Sequence, residues 1–223
     1  MLFRSDSIHG LIRLTGFENK IIASVGFNRL HDIYQNSTVY MTFPSNRTKR
    51  FEHSIGTMDL CSKMFCNLVV NSSRDDLEKF YKKYDSEIKK IIRETDISEK
   101  YGEYLTHSIV DIPEMEMDNI LHSLTPSNVP EKYKRTHVIL IQAIRGAALL
   151  HDIGHPPYSH VVESALNEAY ESLKENKGGA SGDYTATMEK YISDKRKLHE
   201  VMGEDICNTI LKGIKIGRAS CRE

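Results

Sequence analysis

Apolar positions in this chain recur mostly every three or four residues, the period of a helix with one buried face. From Asn19 to Tyr34, residues Ile21, Ile22, Val25, Phe27, Leu30 and Ile33 predict a helix with a break near Gly26. Phe51 to Val70 predicts a longer helix, with Ile55, Met58, Met64, Phe65 and Val69 at helical spacing and His53 in its first turn. Leu77 to Ile97 reads as an amphipathic helix with a Lys/Glu-rich face. Val138 to Leu150 is the most apolar stretch and runs straight into His151-Asp152. Pro156-Pro157 must interrupt any helix there, because neither proline supplies a backbone N–H. Further helices are predicted from near Ser159 to about Asn176 and from near Lys197.

Alternation is weak and confined to Ile8–Leu14, which suggests a short strand or hairpin. Asn36–Lys49, holding Pro44, reads as a loop with a short extended piece. Asn71–Asp76 is a polar break, Asp111–Lys134 a proline-containing connector, and Gly178–Asp183 a flexible loop. The sum is an all-α fold, a helical bundle with a short N-terminal β-hairpin.

At 223 residues the chain suits one domain, or one domain with an insertion. A net charge of −1 gives no overall basic field, so nucleic-acid binding is not indicated. No apolar run approaches the roughly 20 residues that span a bilayer, and the start, MLFRSDSIHG, lacks a secretory signal. Cys61, Cys66, Cys207 and Cys221 show no Cys-x-x-Cys spacing and read as free thiols of a reducing cytoplasm. The last eight residues, IGRASCRE (216–223), resemble the translation of a sequencing-adapter oligonucleotide. They are expected to be a non-native tail, with the natural chain continuing past Lys215.

Chemistry concentrates in Leu149-Leu-His-Asp-Ile-Gly-His-Pro-Pro-Tyr-Ser-His160. His151 and Asp152 offer an imidazole nitrogen and a carboxylate oxygen, ligands suited to Mn, Fe, Zn or Mg. Gly154 and the prolines force a turn that can bring His155 and His160 back to the same space. A bare His-Asp pair is usually a surface or helix-cap feature; the apolar lead-in and two further histidines reverse that. A second stretch, Arg47-Thr-Lys-Arg-Phe-Glu-His53, offers His53 as a completing ligand and Arg50 as a phosphate-binding fork. Taken alone, Arg50 would more simply form a surface salt bridge with Glu52. His9, His107, His122 and His137 read as ordinary surface or partly buried residues, Tyr81, Tyr84 and Tyr101 as a packing surface, and Asp75–Lys100 as a solvated face. No Walker-type glycine loop is present.

These stretches together resemble the HD-domain superfamily of metal-dependent phosphohydrolases, and within it the dGTPase-like deoxynucleoside triphosphate triphosphohydrolases. Asp6-Ser-Ile-His-Gly10, Phe27-Asn-Arg-Leu-His-Asp-Ile-Tyr-Gln35 and Phe43-Pro44 match further family motifs in the family's order. The resemblance implies His53, His151 and Asp152 as metal ligands, and His155 and His160 as active-site histidines handling phosphate and the leaving oxygen. It also implies a phosphate-contacting Arg50, Gln35 near the sugar, His199 as a later active-site histidine, and Glu163 orienting His160. The implied reaction hydrolyses a dNTP to deoxynucleoside and triphosphate with a divalent metal ion, in a homo-oligomer.

Several positions depart from the family. Its fourth metal ligand is an aspartate about a hundred residues beyond the His-Asp pair, past the end of this chain. The positions that read guanine nucleotide in the animal enzymes hold Ala23, Asn28 and His31. The segment at about 71–135 is expected to be a helical insertion within an HD domain spanning 1–215. Two other readings stand beside this one: an HD phosphohydrolase for another nucleotide or phosphate ester, and a non-catalytic nucleotide-binding or oligomerisation fragment. The absence of a Gly-Tyr-Pro signature argues against cyclic-dinucleotide substrates.

Overall fold

A computed structural model describes residues 2–6, 9–94, 121, 123–175, 186, 188, 189, 191 and 197–214. The architecture is all-α apart from two paired strands, β1 (Leu2–Asp6) and β2 (Gly10–Leu14). Among the described residues the helices with both ends given are α1 (Gly16–Ile22), α2 (Val25–Asn28), α3 (Arg50–Asn71), α4 (Arg74–Glu94), α5 (Lys134–Leu150), α6 (His160–Glu175) and α7 (Leu198–Gly213). Residues 111–120 and His122 of the connector, the Gly178–Asp183 loop, Tyr101, His107, Cys221 and the tail fall outside the described residues. Among the described residues, no helix is long and apolar enough to cross a membrane.

Two compact units divide the chain. One comprises Met1–Arg4, Arg13–Gly16 and Met58–Gly146; the other comprises Ser5–Ile12, Phe17–Thr57 and Ala147–Glu223. In the first, the hydrophobic core joins Val69, Leu77, Tyr81, Val129 and Tyr133, with Phe65, Phe80 and Leu140 packed against them. Its longest helix, α4, is capped by Ser73, whose hydroxyl accepts from the Asp76 N–H at 3.2 Å. Asp75 and Asp76 in the first turn complement the helix dipole. The charged face of α4 is solvated as expected, with a Lys89–Asp85 pair at 2.6 Å.

The second unit departs from the sequence reading at one helix. The break in the 19–34 stretch comes at Ala23-Ser24, not at Gly26. Ser24 takes an extended conformation (ψ 149°) and its hydroxyl accepts from Phe27 N–H at 3.3 Å, so it caps a new helix. Gly26 lies inside that helix, where a Cβ would stand 3.0 Å from the side chain of Ile210 on α7. The 36–49 loop is closed at its base by a bridge between Tyr34 and Lys49. Helix α3 then starts with Glu52 accepting from the Lys49 N–H at 3.0 Å, half of a capping box.

His137 needs correction: it is fully buried, not a surface or partly buried residue. Its Nε2 lies 3.0 Å from the Leu124 carbonyl, which can only accept, so Nε2 carries the proton. Nδ1 therefore accepts from the Tyr81 hydroxyl at 2.8 Å. The neutral ring is satisfied at both nitrogens, and burial lowers its pKa.

Two outcomes follow for this unit. A histidine whose folded pKa is depressed takes up its proton more readily once unfolded. Stability is therefore expected to be fullest above about pH 6.5 and to fall as pH drops below that value. Tyr81→Phe, which leaves Nδ1 buried without a donor, is expected to cost about 1–3 kcal/mol in chemical denaturation.

Candidate metal centre

All the candidate site residues lie in the second unit. The first turn of α3 presents Arg50 and His53, and the chain leaving α5 presents His151 and Asp152. Oδ2 of Asp152 lies 3.5 Å from His53 Nε2 and 3.3 Å from His151 Nε2. One donor atom from each of these residues lies within 4.8 Å of the others. Donors that share one cation at bonds of about 2.0–2.2 Å sit about 3.0–3.4 Å apart, so two imidazoles and a carboxylate at this spacing fit a divalent ion. His151 is prepared for that role: its Nδ1 donates to the Ala148 carbonyl at 2.7 Å, which leaves Nε2 facing Asp152.

Asp152 is buried, and desolvation alone would push its pKa up. Hydrogen bonds from His151 and His155, with the charges of His151 and Arg50, outweigh burial and hold the carboxyl far below the usual carboxylate range. Burial, aided by His151 and Arg50, lowers the pKa of His53. The His151 pKa is raised, chiefly by its hydrogen bond to Asp152.

Arg50 is not on the surface and does not pair with Glu52. It is buried, its Nη1 donates to Asp152 Oδ2, and its Nε and Nη2 donate to Ser159 Oγ at 3.2 and 2.8 Å. Gln35 lines the same cleft, about 460 Å³ in volume, with its side-chain oxygen buried and unpartnered.

A second group forms around Glu163 in the first turn of α6. Oε2 accepts from His160 Nδ1 at 2.9 Å, and Oε1 accepts from both Nδ1 and the backbone N–H of His199, at 2.8 and 2.9 Å. A carboxylate only accepts, so both rings carry a proton on Nδ1 and present Nε2 outward. Burial opposes the charge on Glu163, yet these bonds bring its pKa down to about 2. His155 stacks on His199 with ring centroids 3.9 Å apart, and its Nε2 lies 3.4 Å from Asp152 Oδ1. Donor atoms of His155, His160 and His199 also cluster within 4.8 Å. However, the ring planes of His155 and His199 are nearly parallel, at 15°. A cation between them would sit well out of both ring planes. This trio suits proton handling and phosphate contact better than metal binding.

Two supports were not legible in the sequence. Arg29, inside the Phe27–Gln35 stretch, donates to the backbone carbonyls of Ile153 and His155 (2.8 Å to the latter) and so staples the turn that follows the His-Asp pair. Gly154 packs directly on α7, where a Cβ would meet the His199 carbonyl oxygen at 1.9 Å and Gly203 N at 2.4 Å. Arginine is too common to signal itself by type, and Gly154, read from the sequence as part of a turn, gave no sign of its contact with α7. The Phe27–Gln35 motif gains a physical meaning here, since Phe27, Leu30 and Ile33 are buried while Arg29 and Gln35 face the site.

The comparisons agree with the geometry. An HD domain-containing protein of Acanthamoeba polyphaga mimivirus is 29% identical over 160 residues, covering 72% of this chain and 25% of that protein. A protein of Methanocaldococcus jannaschii named only as uncharacterised is 29% identical over 158 residues, covering 71% of the chain and 20% of that protein. The deoxynucleoside triphosphate triphosphohydrolase SAMHD1 homolog of Dictyostelium discoideum is 25% identical over 202 residues, 91% of the chain and 27% of that protein. The chain thus spans roughly a quarter of the length of the curated relatives it matches. No family model matches it.

Gly154→Ala is expected to destabilise the protein by about 1–3 kcal/mol or more, because the clash is with backbone that no rotamer change relieves. Thermal melting followed by circular dichroism checks this.

Proposed function

We propose that this chain, an HD-domain phosphohydrolase by its ligand cluster and its relatives, acts on deoxynucleoside triphosphates, releasing deoxynucleoside and intact triphosphate. The observation that carries the reading is the convergence of His53, His151 and Asp152 on one wall of a cleft that Gln35 and His160 also line. The name of the Dictyostelium relative, and the motifs in family order from Asp6 to His160, favour a dNTP over other phosphate esters. A homo-oligomer belongs to the same proposal, as does the reading of residues 71–135 as an insertion.

His53, His151 and Asp152 would hold a divalent cation. When bound, such an ion supplies a Lewis acid for the phosphate and a lowered pKa for water. The chain's own groups divide the remaining work. Gln35 offers a free amide oxygen to a substrate hydroxyl or N–H. His155, neutral because burial lowers its pKa, keeps an unpartnered Nδ1 in the buried wall. His160 stands at the cleft with its Nδ1 proton held by Glu163. In its protonated form it donates the Nε2 proton to the 5′-oxygen as the bond from that oxygen to the α-phosphorus breaks. The oxygen of the attacking water remains on the triphosphate, and the proton that water gives up passes to solvent, from which His160 is reprotonated. Glu163, ionised throughout the physiological range, stabilises the imidazolium that delivers this proton.

Incubation of the full-length protein with dNTPs and Mn²⁺ is expected to yield deoxynucleoside and triphosphate on chromatography. Pyrophosphate or a nucleoside monophosphate would assign a different reaction. His151→Ala and Asp152→Ala are expected to abolish turnover, and unchanged activity in either would exclude this site. Glu163→Gln is expected to lower kcat roughly 10- to 100-fold, with Mn²⁺ affinity retained.

A further inference from the structure

The resemblance assigns Arg50 to substrate phosphate, but its surroundings in the fold give it another task. A guanidinium carries five N–H groups in a fixed fork. Nε and Nη2 both donate to Ser159 Oγ, Nη2 also reaches the Gln35 carbonyl at 3.4 Å, and Nη1 donates to Asp152 Oδ2. Four of the five donors are thereby engaged. A phosphate could be gripped bidentately only by breaking one of these bonds, and the side chain, 4% exposed, has little freedom to do so.

Ser159 is held in place at some conformational cost. It and Tyr158 both adopt positive φ, 51° and 59°, a region that residues with a Cβ enter rarely and seldom in succession. Such a conformation persists where its surroundings over-determine it. Here Ser159 N–H donates to the Pro156 carbonyl at 2.9 Å, and the Ser37 hydroxyl donates to the Tyr158 carbonyl at 2.9 Å. Ser37 itself has φ 50°. The product of this turn is one buried hydroxyl set against the Nε–Nη2 edge of Arg50.

We propose that Ser159 and Arg50 are positioning residues for Asp152: the hydroxyl fixes the guanidinium, and the guanidinium fixes the carboxylate that faces His53 and His151. The proposal rests on the metal-site reading above. It differs from a phosphate-binding role in what it makes Arg50 and Ser159 control, which is metal affinity before any substrate is present.

The test titrates the whole chain with Mn²⁺, following free Mn²⁺ by electron paramagnetic resonance, and records melting for each variant. Ser159→Gly removes the hydroxyl while accepting positive φ without strain. Loss of the buried acceptor and relief of the positive φ oppose each other in stability, so it is expected to fold with a melting temperature at or somewhat below the wild type's, yet bind Mn²⁺ roughly 10- to 100-fold more weakly. Arg50→Lys, which keeps the charge and loses the fork, is expected to weaken Mn²⁺ to a similar extent. Tyr158→Gly relieves strain with the hydroxyl kept, and should leave affinity unchanged. Wild-type affinity in either folded Ser159→Gly or folded Arg50→Lys overturns the positioning role and leaves the metal site standing. A wild-type chain that binds no Mn²⁺ overturns both.

Discussion

A buried carboxylate must be surrounded by positive charge and hydrogen-bond donors, or it will not stay ionised. Asp152 imposes that requirement on this protein. Its two oxygens meet Arg50, His53 and His151 on one side and His155 on the other. Those partners come from the start of α3, the end of α5 and the turn after it. The local folding of each segment makes sense as delivery of one group to this carboxylate. Lys49 and Glu52 fix where α3 begins, and thereby where Arg50 and His53 point.

A second acid organises a second set of groups by different means. Glu163 lies outside the His53–His151–Asp152 cluster; it accepts from His160 and His199 and settles the proton position on both rings. The unit thus has one carboxylate suited to a cation and another suited to orienting imidazoles. Two close backbone contacts hold the stretch between them, namely Arg29 on the carbonyls of Ile153 and His155, and Gly154 against α7. Side-chain chemistry here depends on a turn that could not be built with a larger residue at position 154.

The unit built around Met58–Gly146 shows how polar groups are buried when no chemistry is asked of them. His137 and Tyr81 satisfy each other inside an aromatic cluster, and Arg145 is matched to Ser62 Oγ and to the Arg13 carbonyl. Each bond removes a desolvation cost without leaving an exposed donor atom or nucleophile. The contrast is with Gln35 and His155, whose buried polar atoms lack partners within the protein.

Much of this was written in the order of residues. Helical periodicity gave α3 to α7 to within a few positions wherever the residues are described, because burying one face of a helix forces that spacing. Dense histidine around positions 151–160, with Asp152 and with His53 brought in by the family resemblance, pointed to the cluster that the fold gathers. Periodicity could not locate the break at Ser24, since a cap competes locally with a pattern that continues across it. Nor could type reveal that Arg50 is buried against Asp152, that Ser159 holds it, or that His137 lies in a core. Those facts depend on which segments meet after folding, and an arginine, serine or histidine is compatible with surface, core or site until its neighbours are known. The chain's order singled out the candidate ligands; only their packing in three dimensions decided what each remaining polar group is bonded to.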